Sequence, residues 1–180
     1  MATVISGSTG ITLPDNGALS TSIGDAINIT SGYVSGIKLG GTGAANTLDD
    51  YEEGTFVATL RGSSDPSTAV TTTSQYRKIG ELVYITIAFE NVNTTGASGD
   101  IEVTGLPFTS KANGRYFIAD GFYNGATWTS ARTPMSHVQS DSTKIICHAM
   151  VSSSTWTTLG HNAGSSGRYF WFSGTYPTGA

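Results

Sequence analysis

The sequence is poor in charge, in long apolar runs and in helix-forming periodicity. Charged residues are 12% of the 180 residues, and the formal net charge is −4. A chain with this charge and no basic cluster does not suit nucleic acid or an anionic membrane surface as its main partner. No apolar run is long enough to cross a bilayer, and no basic-then-apolar leader follows Met1. We therefore predict neither nucleic-acid binding nor membrane insertion.

Cysteine is also scarce, since Cys147 is the only one and an intrachain disulfide is excluded. Neighbouring residues on a strand point to opposite faces, so Cys147 and His148 cannot act on each other as nucleophile and base. The alternation with Ile145 and Ala149 predicts Cys147 in the core, with His148 facing outward or toward a neighbouring subunit. No Gly-x-Ser-x-Gly, His-Glu-x-x-His or phosphate-binding loop occurs. We predict no enzyme, no catalytic residue and no cofactor.

Glycine, serine and threonine are abundant instead, and apolar residues alternate with polar ones. This pattern predicts an all-β fold, a β-sandwich of jelly-roll type formed by residues 55–180. Polar, β-branched residues suggest an edge strand at Thr68–Gln75. The other predicted strands are Thr55–Leu60, Tyr76–Glu90 with a break at Gly80, a short one containing Ile101 and Val103, Arg115–Tyr123, Lys144–Val151 and Arg168–Tyr176.

The strongest strand pattern follows Gly80. Val83, Ile85, Ile87 and Phe89 fall on one face because strand side chains alternate. We predict that this face is the core and that the face containing Thr86 is exposed.

Residues 1–54 have a different residue pattern, in which isolated aliphatic residues lie among small polar ones. Two pairs of aliphatics would each share one strand face, and neither could bury that face within a single chain. The pattern predicts an extended, shaft-like attachment segment that packs against copies of itself. The alternative is a disordered leader, which low hydrophobicity also favours. The residues predicted to mediate trimerisation and attachment are Ile11, Leu13, Ile27 and Ile29.

A glycine-rich, acidic stretch, Leu39–Phe56, separates the two parts. Its sequence Gly-Gly-Thr-Gly-Ala-Ala-Asn-Thr-Leu-Asp-Asp-Tyr-Glu-Glu-Gly-Thr-Phe resembles the segment that opens the C-terminal domain of many tailed-phage fibre and virion-appendage proteins, common in marine and cyanobacterial phages. Two later landmarks are similar to that family as well. They are Tyr76, Lys78, Ile79, Gly80 and Val83, and then Gly105, Leu106, Pro107 and Phe108.

The resemblance implies a virion protein made in the host cytoplasm. Phage fibre shafts interweave three chains, so we expect a parallel homotrimer whose N-terminal segment binds other virion proteins. Residues 55–180 would then form a tip that recognises a glycan or another receptor on the bacterial surface. The alternative is a purely structural part, such as a capsid-decorating fibre or a trimeric cap. A glycan-cleaving tailspike is a third candidate, which the lack of a long repeat and of a suitable acid pair disfavours.

Four carboxylates lie in this stretch, namely Asp49, Asp50, Glu52 and Glu53. Calcium accepts several oxygen ligands, but the spacing of a calcium loop is missing. We interpret the cluster as a solvated or capped turn and predict no metal site.

Aromatic residues in the last third are surrounded by hydroxyl, amide and carboxylate groups. An aromatic ring can stack on a sugar while polar neighbours bind its hydroxyls, and such a complex should resist salt. The alternative is that these rings fill the core or a trimer interface, which we favour for Tyr169, Phe170 and Phe172. The candidate glycan-binding residues are Trp128, Trp156, Tyr123 and His161.

Overall fold

The structure, a computed structural model, describes residues 37–38, 47–48, 50–127, 133–152 and 155–179. The chain divides into two units, residues 1–35 and 36–180, and the described residues belong to the second. Trp128 and the four aliphatics assigned to trimerisation lie outside the described residues.

The described part of the chain is all-β. No helix there could span a membrane. Its strands, in chain order, are β1 Ile37–Lys38, β2 Thr47–Leu48, β3 Tyr51–Arg61, β4 Val70–Ile79, β5 Leu82–Val92, β6 Glu102–Thr104, β7 Tyr116–Tyr123, β8 Ala126–Thr127, β9 Thr133–Val138, β10 Lys144–Ser152, β11 Thr155–Thr158, β12 Gly160–His161 and β13 Arg168–Pro177.

Eight strands form an antiparallel barrel in the order β10-β6-β3-β4-β5-β13-β7-β9. The barrel is closed because the last strand, β9, pairs with the first, β10. One edge of β10 pairs with β9, while its other edge pairs first with β6 and then with β11. The sequence predicted a sandwich, whereas these strands form one closed sheet. Both architectures need one apolar face per strand, so alternation alone does not distinguish them.

The barrel interior holds the apolar faces of the strands. Val83, Ile85, Ile87 and Phe89 of β5 are each at most 1% exposed, which confirms the predicted face. Residues on β6, β10 and β13 complete the same core, including Val103, Cys147 and Phe170. The predictions of an inward Val103 and a buried Cys147 are thus confirmed.

One predicted strand differs from the structure, and two observed strands were not predicted. Thr68–Gln75 was expected to be an edge strand, but β4 lies between β3 and β5. The polar side chains there misled the prediction because Ser74 is buried inside the barrel. In addition, β9 and β11 were not predicted, since their short sequences contain Pro134 and several polar residues.

The acidic stretch is not a turn, because its second half begins β3. Glu53 faces Arg77 across the ladder, with a shortest distance of 3.8 Å between the charged groups. The Asp50 carboxylate pairs with Lys78, and the Tyr76 hydroxyl donates a hydrogen bond to Glu52. These contacts explain Asp50, Glu52 and Glu53 as partners of residues on β4, while Asp49 lies outside the described residues. No group of three metal-ligating side chains occurs within the described residues.

Candidate functional site

A group of aromatic and imidazole rings covers one region of the outer barrel surface. We call it the Trp156 platform, and it consists of Phe117 on β7, His137 on β9, His148 on β10 and Trp156 on β11. Phe117 lies directly opposite His137 in the ladder between β7 and β9. The residues next to them in the chain, Ile118 and Ser136, are buried, so strand alternation directs these rings outward.

The rings of the platform stack in sequence across the strands. The His137 and His148 centroids are 5.1 Å apart with an angle of 28° between the planes. The Trp156 indole lies 4.9 Å from His148 and 6.4 Å from Phe117, again centroid to centroid. Trp156 remains 41% exposed and Phe117 remains 53% exposed, while His137 is buried beneath them. The platform therefore offers solvent an apolar surface supported by a buried imidazole.

Arg115, just before β7, lies over this surface. Its guanidinium carbon is 5.0 Å from the centre of the Trp156 ring, within the range of a cation–π contact. One guanidinium nitrogen, Nη1, lies 3.5 Å from His137 Nε2. Among the described residues, no carboxylate pairs with Arg115.

A cleft of about 460 Å³ adjoins the platform. Arg115, Lys144 and Glu102 supply charged groups to its wall, and the Lys144 ammonium lies 3.3 Å from the Glu102 carboxylate. The described residues that complete the lining are His137, His148, Ile146, Gln139 and Ser140. The cleft thus combines rings, amide and hydroxyl groups, and one unpaired cation.

Both histidines of the platform are neutral at neutral pH. Burial, the nearby His148 and Arg115 lower the pKa of His137 from 6.5 to about 4. Burial and Arg115 also lower the pKa of His148. The Nδ1 atom of each ring is buried, and no described residue forms a hydrogen bond with it. Neutral imidazoles add no positive charge to the wall of the cleft, so its charge comes from Arg115, Lys144 and Glu102.

The described glycan-binding candidates occupy three separate places. Trp156 lies on β11, in the platform. Tyr123 is 60% exposed, and its ring contacts Tyr169 at 5.6 Å. His161 is only 8% exposed, with its Nε2 2.9 Å from the carbonyl oxygen of Arg61 and its ring against Phe170. The structure therefore does not bring Trp156, Tyr123 and His161 together.

Sequence reasoning missed Arg115, Phe117 and His137 as site residues. They come from segments that only the pairing of β7 with β9 and of β9 with β10 brings together. Of the four platform and cleft residues His148, Arg115, Phe117 and His137, only His148 was indicated by the sequence. Its outward orientation was expected from the alternation around Cys147. The structure confirms that orientation.

The described side chains that could act in catalysis are either directed into the barrel, as Cys147 and Asp120 are, or single in the cleft, as Glu102 is. The Cys147 thiol is fully buried, and burial raises its pKa to about 12, so it stays protonated. Asp120 faces the same interior, and Ser136 Oγ donates a hydrogen bond to it over 2.6 Å. Among the described lining of the cleft, Glu102 is the only carboxylate. Hydrolysis by two facing carboxyl groups needs a second.

Comparison with known proteins adds one relative. No family model matches the chain. Over 125 residues it is 26% identical to the capsule KN4-specific depolymerase of Klebsiella phage K64-1. The match covers 68% of this chain and 16% of that protein. This distant similarity points to a phage tail-associated protein and hence to a component of the virion.

Proposed function

We propose that this chain is a binding domain of a phage tail protein and that it contacts a polysaccharide on the bacterial surface through the Trp156 platform. The observation that carries the proposal is the exposed Trp156 ring beside a cleft lined by hydrogen-bonding groups. A sugar presents an apolar C–H face to such a ring and hydroxyls to such a cleft. The similarity to a capsule-specific depolymerase agrees with a polysaccharide ligand.

The alternative is a purely structural virion part, such as a capsid-decorating fibre or a trimeric cap. A structural role would be expected to bury its tryptophans in the core or in a seam between chains. Trp156 is 41% exposed in the single chain, so it does not fill the core, and the polar cleft beside it supports recognition rather than a seam between chains.

Cleavage of the polysaccharide is a separate question. The depolymerase activity belongs to a protein of which this chain matches 16%. Within the described residues, Glu102 lies alone among carboxylates in the cleft and already pairs with Lys144. We therefore propose binding without hydrolysis at this site.

The test is binding of the purified chain to a panel of bacterial capsular polysaccharides and lipopolysaccharides that includes the Klebsiella KN4 capsule. We expect the wild type to bind at least one member. Trp156→Ala should weaken that binding by about 2 kcal/mol or more, or roughly 30-fold, as truncation of a central aromatic contact does.

Trp171→Ala is the matched control, because Trp171 is 38% exposed but lies on β13, where its ring contacts Tyr169 and no ring of the platform. Circular dichroism and thermal unfolding would establish that both variants are folded. Normal binding by Trp156→Ala would place the contact elsewhere, and failure of the wild type to bind any member would favour the structural role. Shortened polysaccharide after incubation would contradict binding without hydrolysis.

A further inference from the structure

We propose that the cleft beside the Trp156 platform selects saccharides that carry a carboxylate, and that Arg115 binds this carboxylate. The inference rests on the proposed function and narrows it from polysaccharides in general to acidic ones. It follows from the way the cations of the barrel are paired.

Arg115 differs from the other cations whose side chains the structure describes, because no described carboxylate or carbonyl oxygen pairs with it. Arg168 donates to backbone carbonyl oxygens of Asn162 and Ala163 at 2.9 and 3.2 Å. The other cations with described side chains form the ion pairs Arg61–Asp65, Arg77–Glu53, Lys78–Asp50, Lys111–Glu81 and Lys144–Glu102. Arg115 instead lies against Trp156 and approaches His137, and neither group carries negative charge at neutral pH.

The geometry suits a planar anion. A guanidinium that packs against an aromatic ring keeps N–H groups at its edge, and that edge matches the two oxygens of a carboxylate. The part of the Trp156 ring that Arg115 leaves exposed can carry the apolar face of the same sugar residue. One sugar unit could then stack on the ring while its carboxylate reaches Arg115.

The charge of the cleft favours a carboxylate over a phosphate monoester. In the described lining, Lys144 and Glu102 offset each other and the two histidines are neutral, so Arg115 supplies one net positive charge. A phosphate monoester carries roughly −1.5 to −2 charges at neutral pH and is usually bound by several cations.

The experiment uses the same polysaccharide panel, with each member tested in its native form and after chemical reduction of its carboxyl groups to alcohols. Members whose only charge is a phosphodiester form a separate arm. We expect carboxyl reduction to weaken binding roughly 10- to 100-fold, the usual effect of one hydrogen bond to a charged group.

Arg115→Gln should cause a similar loss of binding, and Arg115→Lys a smaller loss because it keeps the charge without the planar fork. Higher salt should weaken binding of the native form more than binding of the reduced form.

Arg77→Gln is the control, since Arg77 is an exposed cation on β4 away from the cleft, and its binding should equal that of the wild type. Equal binding of native and reduced polysaccharide, or unchanged binding by folded Arg115→Gln, would overturn the inference. Preference for the phosphodiester arm would also overturn it. In each of these cases, loss of binding in Trp156→Ala would still support the proposed function. Absence of binding to every panel member would contradict both the proposed function and this inference.

Discussion

At the scale of single residues, His137 makes the stability of the folded barrel depend on pH. Phe117, Trp156 and Arg115 surround its ring on the outer face, and His148 stacks on it. This environment lowers the pKa of His137 to about 4 because a charged imidazole would lose its water and face a guanidinium. In the unfolded chain a histidine has a pKa near 6.5.

We therefore predict that acidification destabilises the barrel partly through His137. The folded-state pKa lies below the unfolded one, so between pH 6.5 and about 4 the unfolded chain binds the proton first. Stability from this group is present above pH 6.5 and is lost as the pH falls toward 4. The midpoint of thermal unfolding should thus drop less over this range in His137→Phe than in the wild type.

The comparison between the two proteins reports on His137 together with its contact to His148, whose pKa is also lowered by burial. Burial raises the pKa of Asp120, which makes its own contribution change in the opposite direction, but Asp120 is present in both. The same holds for His161, whose pKa is lowered by burial. Equal slopes of the unfolding midpoint against pH in the two proteins would contradict the prediction.

At the scale of elements, the register of β5 organises the barrel wall. It pairs with β4 on one edge and with β13 on the other, and alternate side chains point into the core. Gly80 has a φ of +56°, a left-handed conformation that favours glycine, and it begins the tight connection between β4 and β5. The break predicted at Gly80 is confirmed. This turn and the apolar face together specify the register.

We predict that two adjacent substitutions in β5 differ sharply in cost. Ile87 is 1% exposed in the core, so Ile87→Ala should lower the free energy of unfolding by about 2–5 kcal/mol. Thr86 lies on the exposed face, and Thr86→Ala should cost far less. Denaturant unfolding of both variants measures the difference, and similar losses at the two positions would mean that the register is shifted by one residue.

At the scale of the whole molecule, closure gives each of the eight barrel strands two paired neighbours. A closed sheet has few free edges through which copies of the barrel could pair. Assembly through residues 1–54 therefore remains the proposed route to an oligomer. In that proposal the N-terminal segment joins three chains and binds other virion proteins, while the barrel presents the Trp156 platform outward.

We predict a parallel homotrimer of the full chain. The aliphatic pairs of the N-terminal segment cannot bury their apolar faces within one chain, so three copies should share them. Light scattering on the purified protein should then give about three times 18.7 kDa. A monomer in dilute solution would contradict the shaft interpretation. Replacing Ile27 and Ile29 by Asp should also yield monomers if these side chains form the shared core.

The sequence by itself determined the all-β class, the inward face of β5, the core position of Cys147 and the outward direction of His148. Each follows from alternation within a few neighbouring residues, which local side-chain geometry enforces. Only the tertiary structure decided that the sheet closes and that β9 and β11 exist as strands. It alone placed Arg115, Phe117, His137 and Trp156 together, because these residues meet through pairings between distant segments. The alternation of apolar and polar residues shows which face of a strand is apolar, but it does not show which strand pairs with it.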